Sequence, residues 1–387
     1  MPIWLFLALS IAAFASSVTL RIADALLPEI AREFATTPGA AATAVITTFT
    51  VAYGGIQVAF GPIGDRFGKV HTIAVASLLS VAAQIACALS ATLDQISVAR
   101  VVAGATAGGV IPLCLAWIGD VVSFEDRQKV LARFLLAQII GLAAGQALGG
   151  VIGETFGWRA SVLMLAGLYL LGGVAPFLAL RATPTPAGSG AVTRGGRVRV
   201  AEALSRPRVR LILSTVFLEG AAMYGAFSYV GTDLQHRFGV SVATSGVLLT
   251  AFAVGAMGYA LFVGRIVAIM TRARIAMSGA LILGTGFVVL ALIPSLATAL
   301  VALAATGLGF YMLHNSLQTE ATQMVPEARG TALAMFASML FVGQAVGVAI
   351  AGPFFDRVGA PPIYLVAALI LPLIAARLAH SLSRAGS

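Results

Sequence analysis

A series of about twelve apolar runs, each long enough to cross a lipid bilayer, constrains this chain more than any other feature. Inside a bilayer the backbone finds no water, so each run must satisfy its own hydrogen bonds as a helix. Only 10% of the residues are charged, whereas a soluble domain carries about 25%. The sequence therefore predicts an all-α membrane protein with twelve transmembrane helices and excludes a soluble enzyme domain.

The predicted spans fall into two groups of six, separated by a change in composition. The first six cover about Pro2–Leu27, Ala41–Phe60, Val70–Thr92, Gln95–Val122, Val130–Ile152 and Trp158–Leu180. The last six cover about 211–232, 242–264, 275–294, 297–319, 331–353 and 361–380. Between them, residues 181–210 hold seven arginines and one acid among Pro, Gly and Ser. This composition predicts a flexible basic linker with a short surface helix near Val198 to Leu204. The expected domains are thus a bundle over 1–180, a linker over 181–210 and a bundle over 211–387.

The basic residues are distributed unevenly between the two ends of the predicted bundle. Of the 24 Lys and Arg, 18 fall in loops or termini on one side, 4 on the other and 2 within spans. This asymmetry follows the positive-inside rule and predicts that both termini lie in the cytoplasm, in a cell inner membrane. The net charge of +9 therefore indicates topology and anionic lipid as a partner, and no nucleic acid.

Three further features bear on processing and chemistry. Residues 1–17 resemble a signal peptide but lack a basic start, so we expect them to form a retained first span. Cys87 and Cys114 lie in apolar runs, where a small buried hydrophobe is expected. No disulfide framework, metal spacing or phosphate loop is present, so we expect no cofactor, no metal and no enzymatic activity.

The two halves of the chain repeat one another. A shift of 202 residues aligns the fifth and eleventh spans without a gap. The matches include Phe134 with Phe336, Gly145 with Gly347, Gly150 with Gly352, Glu154 with Asp356 and Gly157 with Gly359. Because six spans return a chain to its starting side, both copies have the same orientation. The repeat predicts two pseudo-symmetric six-helix bundles.

The loop between spans 2 and 3 reads Gly-Pro-Ile-Gly-Asp-Arg-Phe-Gly-Lys-Val-His over residues 61–71. Its spacing alone is compatible with a basic loop that only anchors two spans. It also closely resembles the loop 2–3 signature of the major facilitator superfamily of secondary transporters. The resemblance implies a cytoplasmic latch made of Gly61, Asp65, Arg66, Gly68, Lys69 and Asp120, with Asp120 paired to Arg66. The second half keeps the glycine but has Ala268 where the acid belongs, so the complete latch is expected in the first half only.

Two ionisable residues of the first half lie within predicted spans, where each costs roughly 2.5–3.5 kcal/mol on insertion scales. We therefore expect each of them to have a function or a partner. Asp24 and Pro28 form D-x-x-x-P late in span 1, which resembles a motif of the twelve-span drug:proton antiporter branch. The resemblance implies that Asp24 binds protons or substrate in the central cavity. Arg21 is three residues away and can instead form a structural ion pair with it. Arg100 matches R-x-x-x-G-x-x-x-G of span 4, which implies a cavity-facing arginine that influences proton movement.

The second half contributes candidates of its own. Glu219, Tyr224 and Tyr229 lie in or next to span 7, which lines the cavity in the resembled family, and can bind a lipophilic substrate. The alternative is a paired glutamate with aromatic side chains packed as core. His314 and Gln318 share one face of span 10 and complete the predicted substrate and proton site, although a buried histidine often serves only as an interhelical hydrogen-bond donor.

Span 5 contains Gly141, Gly145, Gly149 and Gly150, whose spacing predicts close helix packing. The stretch resembles the antiporter motif G-x-x-x-G-P-x-x-G-G, a marker of exporters, with Gln146 in place of the proline. The sequence thus favours a monomeric secondary transporter that exports small lipophilic or amphipathic compounds in exchange for protons by alternating access. A proton symporter or uniporter that imports a metabolite, or a non-transporting receptor on the same scaffold, remains open.

Overall fold

The computed structural model describes residues 3–182 and 200–385, and these residues form twelve helices long and apolar enough to cross a membrane. This confirms the predicted all-α class and the number of spans. We label the spanning helices α1 to α12 in chain order. The first six are Ile3–Arg21, Pro38–Phe67, Lys69–Ala88, Leu93–Val121, Phe124–Phe156 and Trp158–Ala182. The last six are Pro207–Phe238, Val242–Ile269, Arg272–Leu292, Leu296–Met324, Arg329–Val358 and Pro361–Ala385.

Loops alternate between two ends of the bundle. We call the end with the loops at Gly68, Ser123, Thr271 and Pro326 the basic end, and the end with the loops at Leu89, Gly157, Gly239, Ile293 and Gly359 the opposite end. Gly68 links α2 to α3 at a φ of 87° and Gly157 links α5 to α6 at a φ of 82°. Side chains with a Cβ are strained in that region, so glycine permits both abrupt turns.

Helix α5 carries the closest packing of the first half. A Cβ at Gly145 would lie 2.5 Å from the carbonyl oxygen of Val18, and one at Gly149 would lie 2.4 Å from that of Ile22. Gly141 meets Ser17 in the same way. The small residues of α5 therefore let its backbone rest directly on α1, as the spacing of the glycines predicts.

The two halves contact each other through α5 with α8 and through α2 with α11. On the first seam, Gly150 faces the backbone of Val242 and Gly246. On the second, contacts run from Gly39 against Gly352 to Gly54, whose carbonyl accepts a hydrogen bond of 2.7 Å from Ser338. Towards the basic end, a Cβ at Gly61, Gly264 or Gly330 would meet no neighbouring atom within 4 Å. The contacts between the halves that these residues make thus lie between the opposite end and the middle of the helices.

Several spans differ from a simple continuous helix. Helix α2 includes a π-helical segment over Thr43–Thr47, and α4 is interrupted at Gly108 and Gly109. Helices α1 and α7 are interrupted as well. Helix α1 ends at Arg21, residues 22–26 form turns, and a short helix follows over Leu27–Glu33. The prediction of one span over Pro2–Leu27 was therefore wrong at its end. Helix α7 is interrupted in the corresponding place, between Phe227 and Val230. Hydropathy does not reveal either interruption, because apolar residues surround Asp24 in the first break and the second break is only two residues long.

The predicted linker lies largely outside the described residues, since nothing is described for 183–199. Its last part contains a short helix, Val200–Ser205, next to the predicted position. Arg206 forms an ion pair with Glu327 of the loop before α11, and Arg208 lies 2.6 Å from Glu320 of α10. These contacts join the start of α7 to α10 and to the loop before α11.

At the opposite end, an arginine in each half ties together three helical segments. In the first half Arg159 of α6 pairs with Glu33 and donates hydrogen bonds to the carbonyls of Ala88 (2.9 Å) and Ser90 (2.8 Å) at the end of α3. In the second half, Arg237 of α7 pairs with the buried Asp233 at 2.6 Å and donates to the carbonyl of Leu290 at 2.7 Å. Tyr364 of α12 completes that group by donating to Asp233. Each half is therefore braced internally at this end.

The Arg159 brace gives a prediction with a pH signature. We expect Arg159→Ala to lower the melting temperature of the purified protein in detergent by a few degrees at pH 7. The hydrogen bond from Arg159 holds the pKa of Glu33 below its ordinary value, which is about 4.3. The ion pair therefore stabilises the fold above that pH, and its contribution disappears as the pH falls through the lowered pKa. The difference in melting temperature between wild type and variant should shrink below about pH 4. An equal difference at pH 7 and pH 3.5 would show that the ion pair contributes nothing.

Candidate functional site

The site is built where the breaks in α1 and α7 meet across the two halves. A Cβ at Gly231, just after the break in α7, would lie 2.6 Å from the carbonyl oxygen of Asp24, in the break of α1. Gln235 donates a hydrogen bond of 2.9 Å to the carbonyl of Ala25. Interrupted helices at corresponding positions of two repeats are typical of transporter binding sites, because they expose backbone groups and side chains inside the membrane.

Asp24 is fully buried and is the most unusual group of the site. Its nearest charge is Arg21, with 3.6 Å between Nη1 and Oδ2, and both side chains are almost fully buried. Gln146 of α5 also interacts with this carboxyl group. Neither carboxylate oxygen nor Arg21 Nη1 completes a hydrogen bond of normal geometry. A buried carboxylate without hydrogen-bond donors is costly in its charged form, whereas a proton would remove most of that cost.

Arg21 joins the two halves at this point. Its guanidinium lies 4.1 Å from the ring centre of Tyr224 and 5.9 Å from that of Phe227, both in α7. A cation placed over an aromatic face is attracted by the electron density of the ring. Arg21 therefore has two alternative partners, the carboxylate of its own half and the aromatic rings of the other half.

A second ionisable pair lies in the other half. Glu219 of α7 is fully buried, and its Oε2 lies 3.0 Å from Nδ1 of His314 in α10. The other carboxylate oxygen of Glu219 has no hydrogen-bond partner. His314 stacks between Phe310 and Phe336, with ring centres 5.1 Å and 5.2 Å away. One predicted alternative, a paired glutamate flanked by aromatic rings, is thus the observed arrangement.

Other predicted site residues lie apart from this cluster. Arg100 is buried in the first half, where it donates to the carbonyl of Val45 at 2.8 Å and lies 4.2 Å from the ring centre of Phe49. Tyr229 is fully buried, donates to the carbonyl of Val348 at 2.9 Å and stacks on Phe355. Its hydroxyl is therefore occupied in packing the second half. Gln318 is exposed, one helical turn beyond His314.

The latch residues are arranged differently from the expected pairing. Lys69, not Arg66, forms the ion pair with Asp120, and Lys69 also lies 3.8 Å from Asp65. The guanidinium of Arg66 lies over the ring of its neighbour Phe67. Asp65 is 70% exposed.

The second half has an ion cluster of its own at the basic end, although its loop between α8 and α9 lacks the acid of the latch motif. Glu320 of α10 is buried and contacts both Arg272 (3.2 Å) and Arg208 (2.6 Å). Arg272 is the first residue of α9, as Lys69 is the first residue of α3. In both halves this basic residue pairs with an acid of the following helix, Glu320 of α10 and Asp120 of α4. Loop motifs alone could not reveal this, because the partner is about 50 residues away in the chain.

Comparison with known proteins agrees with this architecture. The model of the Major Facilitator Superfamily matches residues 9–348. The chain belongs to the Major Facilitator Superfamily. Its family and fold are those of multi-pass membrane transporters, as the loop 2–3 motif implied.

Relatives within the Major Facilitator Superfamily span most of the chain. An uncharacterised MFS-type transporter of Bacillus subtilis, YwfA, is 24% identical over 96% of this chain and 90% of its own length. A chloramphenicol resistance protein of Streptomyces lividans is 26% identical over 91% of this chain and 88% of its own. Among solved structures, an inward-facing, unoccupied bacterial homologue of the human lysosomal transporter Spinster superposes with a TM-score of 0.79. That match is 16% identical and covers 96% of this chain and 95% of the other.

Proposed function

We propose that the protein is a secondary active transporter that exports small lipophilic or amphipathic compounds in exchange for protons. The observation that carries this proposal is the buried, hydrogen-bond-deficient carboxylate of Asp24 at the contact between the two halves. The similarity to a chloramphenicol resistance protein supports the export direction. The basic end faces the cytoplasm in this proposal, so the structure corresponds to a state open to the inside of the cell.

In this proposal, proton movement is coupled to substrate movement because the proton and the substrate compete at Asp24 and Arg21. When Asp24 is charged, it holds Arg21 by electrostatic attraction; when a proton neutralises Asp24, Arg21 is free to interact more closely with Tyr224 of the other half. A substrate that enters between the halves would displace the Arg21–Tyr224 contact and favour release of the proton. In this proposal the Glu219–His314 pair provides polar groups in the second half, and Arg100 supports the first half from within. A potential of 100 mV adds about 2.3 kcal/mol for each charge moved across the membrane.

Transport in inside-out membrane vesicles tests the direction and the coupling. Chloramphenicol and the lipophilic cation tetraphenylphosphonium serve as probes, with the vesicle interior made acidic. We expect accumulation of at least one probe, abolished by a protonophore. Release of preloaded probe under the same gradient would instead indicate a symporter. Movement that ignores the gradient would indicate a uniporter, and no movement of either probe would count against export of this class of compound.

A matched pair of aromatic variants tests the contact of Arg21 with the second half. We expect Tyr224→Leu to weaken coupling by several fold, because it removes the ring under the guanidinium, while Tyr224→Phe retains most activity. The measurement is the accumulation ratio of a transported probe under a fixed pH gradient. Equal losses in both variants would show that the hydroxyl group, not the ring face, is the functional part.

A further inference from the structure

The opposite end of the molecule holds two carboxylates that each cap a helix of the other half. Glu154, in the last turn of α5, accepts a hydrogen bond of 2.6 Å from the backbone N–H of Ala243 at the start of α8. Asp356, in the last turn of α11, accepts one of 2.9 Å from the N–H of Gly39 at the start of α2. Both bonds cross from one half to the other.

The two contacts are equivalent under the internal repeat of the chain. Glu154 and Asp356 coincide under the 202-residue shift that relates the halves. In each case the receiving helix has its own N-cap: Thr37 accepts from Ala40 N–H, and Ser241 accepts from Thr244 N–H. The carboxylate of the other half accepts from the N–H of Gly39 or Ala243, one residue before the N–H that the N-cap residue binds. The two acceptors therefore do not compete for the same donor. The first backbone donors of a helix have no partner within the helix, and its positive end favours a negative charge.

Close backbone packing supports each cap. A Cβ at Gly39 would lie 2.5 Å from both Asp356 Oδ2 and the carbonyl oxygen of Gly352. On the other seam, a Cβ at Gly150 would lie 2.6 Å from the carbonyl oxygen of Val242. Gly150 and Gly352 also coincide under the same shift. The carboxylates therefore act where the halves are already in contact, and they cannot keep their bonds if the halves separate at this end.

We propose that Glu154 and Asp356 are positioning residues that hold the opposite end closed, as a symmetric pair of latches. Each latch stabilises the arrangement open at the basic end and must break before the transporter can open at the opposite end. The pair thus sets the balance between the two arrangements. It is separate from the Lys69–Asp120 cluster, which joins α3 and α4 at the basic end, and it requires neither protons nor substrate at Asp24.

The test is a distance distribution between spin labels on the two halves. Leu89 after α3 and Leu292 at the end of α9 are 77% and 63% exposed at the opposite end, away from both latches. Cysteines at these positions, with Cys87 and Cys114 replaced, carry the labels in the full-length protein. Removing an N-cap acceptor costs about 1 kcal/mol, which is about a fivefold shift of an equilibrium. In Glu154→Ala/Asp356→Ala we therefore expect the longer-distance population to rise by about 25-fold relative to the shorter one.

Glu33→Ala is the matched control, because it removes an acid at the same end whose ion-pair partner lies in its own half. It should leave the distance distribution unchanged. Each single latch variant should give an intermediate shift, and a melting curve of each variant shows whether it is folded. An unchanged distribution in folded single and double variants would overturn the proposal, and so would an equal shift in Glu33→Ala.

Discussion

Replacing Asp24 by asparagine should abolish proton-driven accumulation of a transported probe while the protein remains folded. The amide has nearly the same size but cannot take up and release a proton. A gradient of one pH unit is worth about 1.4 kcal/mol per proton, so exchange of one proton sustains about a tenfold substrate gradient. The wild type should reach that ratio in inside-out vesicles, and Asp24→Asn should stay at a ratio of about one. The variant should still exchange labelled for unlabelled probe, because that process needs no net proton movement.

Two comparisons make this result specific. Asp94 is exposed in the first turn of α4 at the opposite end, so Asp94→Asn changes the same group outside the site and should leave accumulation intact. Glu219→Gln removes the buried acid of the second half that pairs with His314. If Asp24→Asn accumulates the probe normally and Glu219→Gln does not, the proton is carried by the second half and our assignment of Asp24 is wrong.

Gly145→Leu should prevent stable folding of the first half. A Cβ at this position would lie 2.5 Å from the carbonyl oxygen of Val18, and backbone atoms cannot yield as a flexible side chain can. The helices α1 and α5 would have to separate, and overpacking of this kind costs roughly 3 kcal/mol or more. Separation would also displace Gln146 and the break that holds Asp24. We expect little monodisperse protein after extraction in detergent, and a lower melting temperature for whatever remains.

Gly167→Leu is the control for the same change of residue. Gly167 is exposed on α6, and a Cβ there would meet no neighbouring atom within 4 Å. Leucine should be tolerated or slightly stabilising, since glycine costs up to about 1 kcal/mol in a helix interior. If Gly145→Leu gives the same yield and melting temperature as Gly167→Leu, the close contact between α1 and α5 does not limit stability.

The sequence predicted the architecture because the bilayer imposes it: apolar runs of sufficient length must be helices, and a gap-free repeat must generate two similar bundles. The details that failed depend on contacts between distant residues. The end of α1 was placed too late, because the residues on both sides of Asp24 in the break are as apolar as those of the helix. Asp120 was paired with Arg66 by analogy, whereas Lys69, the first residue of the next helix, forms the ion pair with that carboxylate.

Charged site residues could be predicted from the sequence, whereas the roles of the uncharged ones could not. Asp24, Arg21 and Glu219 were singled out because charge inside a span is costly. The structure places Asp24 and Arg21 at the contact between the halves, and Glu219 beside His314 within the second half. Tyr229 could not be distinguished from Tyr224 by composition, although one packs against Phe355 and the other faces Arg21. The role of Gln146 beside Asp24 was hidden as well, since the sequence marked it only as a departure from a motif.

Proton movement driven by solute alone tests the central claim most directly. Purified protein is reconstituted into liposomes that contain a pH-sensitive dye, with no initial pH gradient, and a probe that the vesicle assay shows to be transported is added outside. Our account predicts that entry of the probe changes the internal pH in wild-type liposomes and leaves it constant with Asp24→Asn. Entry of the probe through the wild-type protein without any change of internal pH would contradict it.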